Sequence, residues 1–217
     1  MKLYQYDHCP FCVRTDMVAN YKQVNHDKVY LLNDDEKSCH DLINVKMVPI
    51  LQFDDGQAMG ESLDIVAVLE QHGNTGKVLR PYGDYQSITR FFDQHSVAIS
   101  CLLFPRNINI GLPEFKTQSA RDYFQRNKEA VIGRGFKQAL SETATHKASV
   151  EAMLMQLPAL ELPSQHDNTI SWDDVIIYPT LRNLTMVIDL HFPVAVRKYI
   201  DEVTAVTDSH CYFDRAI

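Results

Sequence analysis

Nowhere in this chain do apolar residues run together for the ~18 positions that a membrane helix needs. Lys2 is followed by no apolar stretch of the kind that marks a secretory leader, so no export signal is expected. Basic residues are in the minority, 21 Lys and Arg against 28 Asp and Glu, and they form no block. The net charge of −7 speaks against nucleic acid as a main partner. No internal repeat and no low-complexity stretch is present. These absences point to a soluble, cytoplasmic protein with no membrane partner. In a reducing compartment its five cysteines would not build a disulfide framework. What remains is an ordinary globular composition, 45% hydrophobic over 217 residues, enough for one large domain or two small ones.

Two of the five cysteines stand three apart near the start, in Lys2-Leu3-Tyr4-Gln5-Tyr6-Asp7-His8-Cys9-Pro10-Phe11-Cys12. Residues 3–6 alternate like a strand. Asp7-His8 is a tight connection, and Pro10 suits a helix start, where the first N–H groups lack partners anyway. Cys9 then sits at the helix tip, where the positive end of the dipole favours a thiolate. Cys12 follows one turn further in on the same face. A strand that hands such a pair to a helix N-terminus suits thiol–disulfide exchange. The same spacing arises by chance, or as half of a zinc site. Zinc would want a second pair, whereas Cys39, Cys101 and Cys211 stand alone and Cys39-His40 completes no tetrahedron. Exchange chemistry without a metal is therefore the favoured reading, and the other three cysteines read as packing or surface thiols.

The order of elements supports it. A helix over roughly 10–23 is followed by a strand at 28–32, a short helix at 36–46, a strand at 47–53 opened by Pro49, a turn at Asp54-Asp55-Gly56, and a short strand at Ala58-Met59. Glu61-Ser62 introduces another apolar-periodic helix that ends before Gly73. This is βαβ, helix, ββ hairpin, helix, and it predicts an α/β domain over 1–72. Residues 73–86 carry Gly and Pro with little periodicity and read as a linker. Everything beyond, 87–217, reads as an all-helical domain, a bundle with helices near 84–104, 117–143, 145–157, 172–189 and 193–206. Ser171-Trp172-Asp173-Asp174 has the form of a capping box, with Ile170 and Val175 placed for a hydrophobic staple. A catalytic pair of Asp173 and Asp174 is the weaker reading of the same residues.

Local chemistry singles out a few more positions. Free N–H groups and the Ser62 hydroxyl at a helix start suit a carboxylate, although Ser62 taken alone is simply an N-cap. Protonated His8 would steady a Cys9 thiolate, but a histidine there is more often a half-exposed bystander. Arg14 lies near the first helix without clearly reaching the sulfur.

Cys9-Pro10-Phe11-Cys12, Val48-Pro49-Ile50-Leu51 and Glu61-Ser62-Leu63-Asp64 fall in the order and spacing of a thioredoxin-fold glutathione-binding domain. The first motif resembles that of dithiol glutaredoxins. The helical half, with Tyr178-Pro179-Thr180-Leu181-Arg182-Asn183-Leu184, is similar to that of glutaredoxins built on a glutathione-transferase-like plan. The resemblance spans essentially the whole chain. It implies a glutathione-dependent oxidoreductase acting on glutathionylated or disulfide-bonded proteins. No cofactor would be bound, glutathione would be the reducing co-substrate, and the molecule would be a monomer. Cys9 would be the nucleophile and Cys12 an accessory for protein disulfides. Pro10 would tune the potential. Phe11 replaces the Tyr frequent in the family, so the ring can pack but the hydroxyl is lost. Val48 would pair its backbone with the cysteinyl part of glutathione through a cis Pro49. Ser62 would hold the γ-glutamyl carboxylate and Glu61 its ammonium group. The alternative is a glutathione transferase, with Tyr6 supplying the hydroxyl that activates glutathione.

Overall fold

The computed structural model describes residues 1–217. The first part builds a four-stranded mixed sheet. Strand β1 is Lys2–Gln5, and helix α1 (Pro10–Tyr21) crosses to β2 (Asp27–Tyr30). Helix α2 (Glu36–Ile43) precedes the hairpin of β3 (Ile50–Gln52) and β4 (Ala58–Met59), and α3 (Ser62–His72) closes the unit. The spatial order is β2-β1-β3-β4. Strands β1 and β2 pair in parallel with Leu3 opposite Lys28, whereas β1 and β3 run antiparallel with Leu3 opposite Leu51. The parallel β1–β2 pair follows from its helix-length crossover, and the tight turn between β3 and β4 makes that pair antiparallel, with Leu51 opposite Met59. Helix α2 contacts β3 and β4, while α1 packs against α3.

Eight helices were expected and ten are present, because two of the longer ones break. The periodic run at 84–104 becomes α4 (Tyr85–Gln94) and α5 (Ser96–Asn107), separated at His95. No Gly or Pro marks that break. Pro105, expected to end the helix, sits inside the last turn of α5. Likewise 117–143 divides into α6 (Gln118–Ile132) and α7 (Phe136–Ser141). Here the cause is legible: Gly133 caps α6 at φ +66°, a left-handed conformation that glycine adopts without steric cost. The chain continues through α8 (Thr143–Gln156), α9 (Trp172–Leu184) and α10 (Val194–Val206). Helix α9 stops about a turn before the expected end, where the Thr185 hydroxyl donates to the Arg182 carbonyl.

The two halves share one continuous apolar core. Leu3, Met17 and Leu69 from the first part join Leu102, Tyr178, Leu181 and Ile200 from the helices in a single buried cluster. Helix α1 is thus clamped between α3 and α9. The segment between the halves is pinned as well: the Arg80 N–H donates to the Ile170 carbonyl at 2.9 Å, and the Trp172 N–H to the Arg80 carbonyl at 3.0 Å. Ser171 and Asp174 form the reciprocal capping box, and the Tyr199 hydroxyl donates to Asp174 at 2.7 Å. Asp173 accepts from the Gly83 N–H. Both acids are therefore occupied in holding the start of α9.

The buried ion pair between Arg182 on α9 and Asp7, at 2.6 Å, ties the halves together. Its neighbours His210, Arg182 and Tyr212 hold the Asp7 carboxyl well below the usual carboxylate range despite burial. A depressed carboxylate contributes stability that is full above its unfolded value, ~3.9, and is lost as pH falls below it. Arg182→Met should cost about 3–5 kcal/mol at neutral pH by stranding Asp7. In urea titrations the gap from the parent chain should narrow below about pH 4. A variant as stable as the parent at neutral pH would contradict this.

Candidate active site

Cys9 is the N-cap of α1, with φ −72° and ψ 119°, and Pro10 occupies the first helical position. An extended N-cap turns its side chain back over the first turn, where free N–H groups need acceptors. The Cys9 side chain benefits from that position: the Cys12 thiol and the backbone N–H groups of Cys12 and Phe11 favour its charged form. The neighbouring Cys12 thiol is the largest influence. With the charge of His8 and the two backbone donors it outweighs burial, and the Cys9 thiol is lowered to about 6. Cys12 is 1% exposed, and burial pushes its thiol well above the ordinary value. It also accepts from the Tyr6 N–H at 3.4 Å. The pair is therefore asymmetric, with Cys9 half-buried and poised as a thiolate and Cys12 sealed and held as a thiol.

The turn that delivers Cys9 is held almost entirely from the helical half. Arg182 donates to the Asp7 carbonyl at 2.8 Å and to its carboxylate. Tyr212 donates to the same carboxylate at 2.5 Å. Asn183 donates to the His8 carbonyl at 2.7 Å. Glu114, in the 3-10 turn Pro113–Phe115, takes the His8 N–H at 3.1 Å and the His8 ring Nδ1 at 2.5 Å.

Two clefts flank the cysteine. The first, of about 510 Å³, lies between the halves and is bordered by His8, Cys9, Phe11, Lys46, Phe104 and Tyr123 among others. The second, of about 600 Å³, is bordered by Phe11, Arg14, Met47, Val48, Pro49, Glu61, Ser62, Leu63 and Asp64. Phe11, 50% exposed, and Val48 belong to both and form the ridge between them. The Val48–Pro49 peptide is cis. Glu61 is the N-cap of α3, at φ +63°, a region that L side chains avoid. Arg14 lies 4.8 Å above the Phe11 ring and donates to the Ser62 hydroxyl at 3.4 Å.

The structure thus gathers Cys9, Pro10, Phe11, Val48, Pro49, Glu61 and Ser62 around one ridge, with Cys12 beneath it. Two expectations need correction. Ser62 is the first helical residue rather than the N-cap, because the unusual backbone at Glu61 moves the helix boundary back by one. His8 is buried at 9% exposure rather than half-exposed, because Tyr6, Phe115 and Phe124 enclose its ring. Arg14 reaches the second cleft, which sequence distance from Cys9 did not show. Glu114, Asn183 and Lys46 were missed. An Arg-Asn pair inside an otherwise apolar stretch, at Leu181-Arg182-Asn183-Leu184, was the available signal. Cys39 and Cys101 are fully buried, all five cysteines are free, and no three metal-ligating side chains cluster. No helix is long and apolar enough to cross a membrane.

Residues 87–216 match the family model described as Glutaredoxin 2, C terminal domain, and residues 3–76 that described as Glutathione S-transferase, N-terminal domain. The chain is 34% identical over 218 aligned positions to Glutaredoxin 2 of Escherichia coli K12, covering all of both chains. It aligns with a TM-score of 0.90 and 35% identity to the crystal structure of glutaredoxin 2 from Salmonella typhimurium in complex with glutathione, over 100% of this chain and 98% of that one. A glutathione S-transferase from Ceriporiopsis subvermispora aligns at 0.64 with 13% identity over 95% of this chain and 96% of that one, a likeness of fold.

Alkylation of the native protein by iodoacetamide, followed against pH, should show Cys9 half-reactive near pH 6 and Cys12 inert. Cys12→Ala should move the Cys9 midpoint upward, because the neighbour that most favours its thiolate is removed. A parent midpoint near the free-cysteine value of ~8.5 would contradict the assigned geometry.

Proposed function

The chain belongs to the glutaredoxin 2 family, and on that premise we propose how this glutathione-dependent thiol–disulfide oxidoreductase works. The Cys9 thiolate attacks the glutathionyl sulfur of a mixed disulfide. A Cys9–glutathione bond forms, the original S–S bond breaks, and its electron pair leaves on the substrate thiolate. The thiolate of a second glutathione then attacks the adduct, releasing oxidised glutathione and restoring the Cys9 thiolate. With a protein disulfide, Cys9 forms a mixed disulfide with the protein, and Cys12 attacks it to leave a Cys9–Cys12 disulfide. Two glutathione molecules reduce that in turn. The observation that carries this reading is the asymmetry of the pair: a half-buried, stabilised thiolate at a helix tip, backed by a sealed thiol.

Glutathione would lie in the cleft of Val48, Arg14 and Ser62. Its γ-glutamyl carboxylate would meet the Ser62 hydroxyl, the Arg14 guanidinium and the free N–H groups opening α3. Its ammonium group would meet the Glu61 carboxylate, and its cysteinyl backbone would pair with Val48. This places the glutathionyl sulfur over the Phe11–Val48 ridge beside Cys9 and leaves the other cleft for the departing thiol. The partners are then glutathionylated or disulfide-bonded proteins, met by a single chain.

The transferase alternative needs a hydroxyl free to stabilise the glutathione thiolate. The Tyr6 hydroxyl is committed elsewhere: it accepts from Lys46 at 2.7 Å and sits against the Asn33 carbonyl at 3.4 Å. Burial, with the nearby sulfurs, also pushes its ionisation far above the ordinary phenol value. Cys9→Ser should abolish glutathione-dependent reduction of a small mixed disulfide, while Cys12→Ser retains activity on it and loses activity on protein disulfides. Conjugation of glutathione to a simple electrophile that is strong and survives Cys9→Ser would favour the transferase instead.

A further inference from the structure

Glu114 is 0% exposed, an expensive place for a carboxyl group. Its Oε1 takes both the backbone N–H and the ring Nδ1 of His8, and its Oε2 has no hydrogen-bond partner. No Lys or Arg pairs with it; His8 is its only cationic partner. The His8 ring is locked by Tyr6 stacked at 5.9 Å and by Phe115 and Phe124, each at 5.1 Å. A tenth of the His8 side chain stays accessible, and it borders the same cleft as Cys9. Its second ring nitrogen has no protein partner and is not sealed. A carboxylate on Nδ1 leaves the proton chemistry of such a ring to Nε2.

We infer that Glu114 is a positioning residue through which the helical half acts on the chemistry: it orients the His8 ring beside Cys9 and sets a carboxylate behind Nδ1, and the protonated ring gives its Nε2 proton to the departing substrate thiolate. This rests on Cys9 being the nucleophile. In the first step the Cys9 sulfur bonds to the glutathionyl sulfur, the substrate S–S bond breaks, and the leaving electron pair takes the proton from His8. Neutral His8 remains, with its Nδ1 proton shared with Glu114. In the second step it can accept the proton of the incoming glutathione. No further reactant is required.

The groups around His8 set the sign of the test. Cys9 faces it from the N-cap of α1, Tyr6 from just beyond β1, and Glu114 from the 3-10 turn. Asp7 is already paired with Arg182, His210 and Tyr212. Lys46 lies over Tyr6, and Lys128 of α6 lies over Phe124. A negative Glu114 acting directly on Cys9 would oppose the thiolate, so Glu114→Gln would then lower the Cys9 midpoint. Acting through His8, it supports the thiolate, and the same substitution raises the midpoint. The Gln amide still accepts the His8 N–H, which preserves the packing.

The experiment follows Cys9 alkylation by iodoacetamide against pH in the parent, Glu114→Gln, His8→Gln and the double variant. Each single variant should raise the Cys9 midpoint by about half a unit or more, and the double should rise no further than His8→Gln alone. An unchanged or lowered midpoint in Glu114→Gln overturns the inference, as does an additive double variant. If Glu114→Gln does not fold, His8→Gln carries the same test, and an unchanged midpoint there overturns it. Single-turnover reduction adds a second readout. Both variants should lose about tenfold or more with an alkyl leaving thiol and much less with an acidic aryl one; equal losses would remove His8 as the proton donor. Alkylation needs neither glutathione nor a disulfide. Failure of this inference therefore leaves a reactive Cys9, whereas failure of the nucleophile assignment leaves an inactive one.

Discussion

Arg182 lies in the interior with its guanidinium committed to the turn before Cys9. It reaches the Asp7 carbonyl, the Asp7 carboxylate, the Tyr212 hydroxyl and the His210 carbonyl, and its plane lies 4.1 Å from the Tyr212 ring. A planar fork of donors suits such convergence, and a lysine could not serve it. The consequence is mechanical. A two-residue turn has no ladder of its own, yet it must present a sulfur to a helix tip. Here the groups of Asp7 and His8 that would otherwise face water are bound by residues more than a hundred positions away in the chain. The shared core and this turn depend on one another, since α9 both packs on α1 and carries Arg182 and Asn183.

That dependence gives the helical half a role in the chemistry as well as in the packing. It closes one side of the cleft beside Cys9, and it supplies Glu114 against His8. Two adjacent residues are thereby served by two buried acid–base contacts of different kinds. Asp7 is held as a carboxylate by a guanidinium that stays charged at every physiological pH. Glu114 faces only a histidine, a partner that can exchange its proton. The first contact is suited to fixing position and the second to moving charge.

Much of the site was legible because it is local. Strand, turn, Cys-Pro-Phe-Cys and helix follow one another within a dozen residues, and Pro10 and Cys9 take the positions that helix-start chemistry dictates. Val48-Pro49 and Glu61-Ser62 were readable as motifs, although the backbone of Glu61 was not: no pattern of residue types announces a positive φ at a glutamate. The capping box at Ser171 and Asp174 was readable for the same local reason. The contacts of Asp7 and His8 were illegible because their partners stand 106 to 205 positions away. Both expected long helices show the same division. Gly133 marked the break after α6 for anyone weighing a C-cap, whereas the break at His95 carries no Gly or Pro signature.

The central claim is that Cys9, alone among five cysteines, exchanges with glutathione. The most direct measurement is to incubate Cys12→Ser with oxidised glutathione and map the adduct by intact-mass and peptide mass spectrometry. One glutathione per chain, located on Cys9 and released by reduced glutathione, is the expected result. No adduct, or an adduct on Cys39, Cys101 or Cys211 with Cys9 left free, would contradict it.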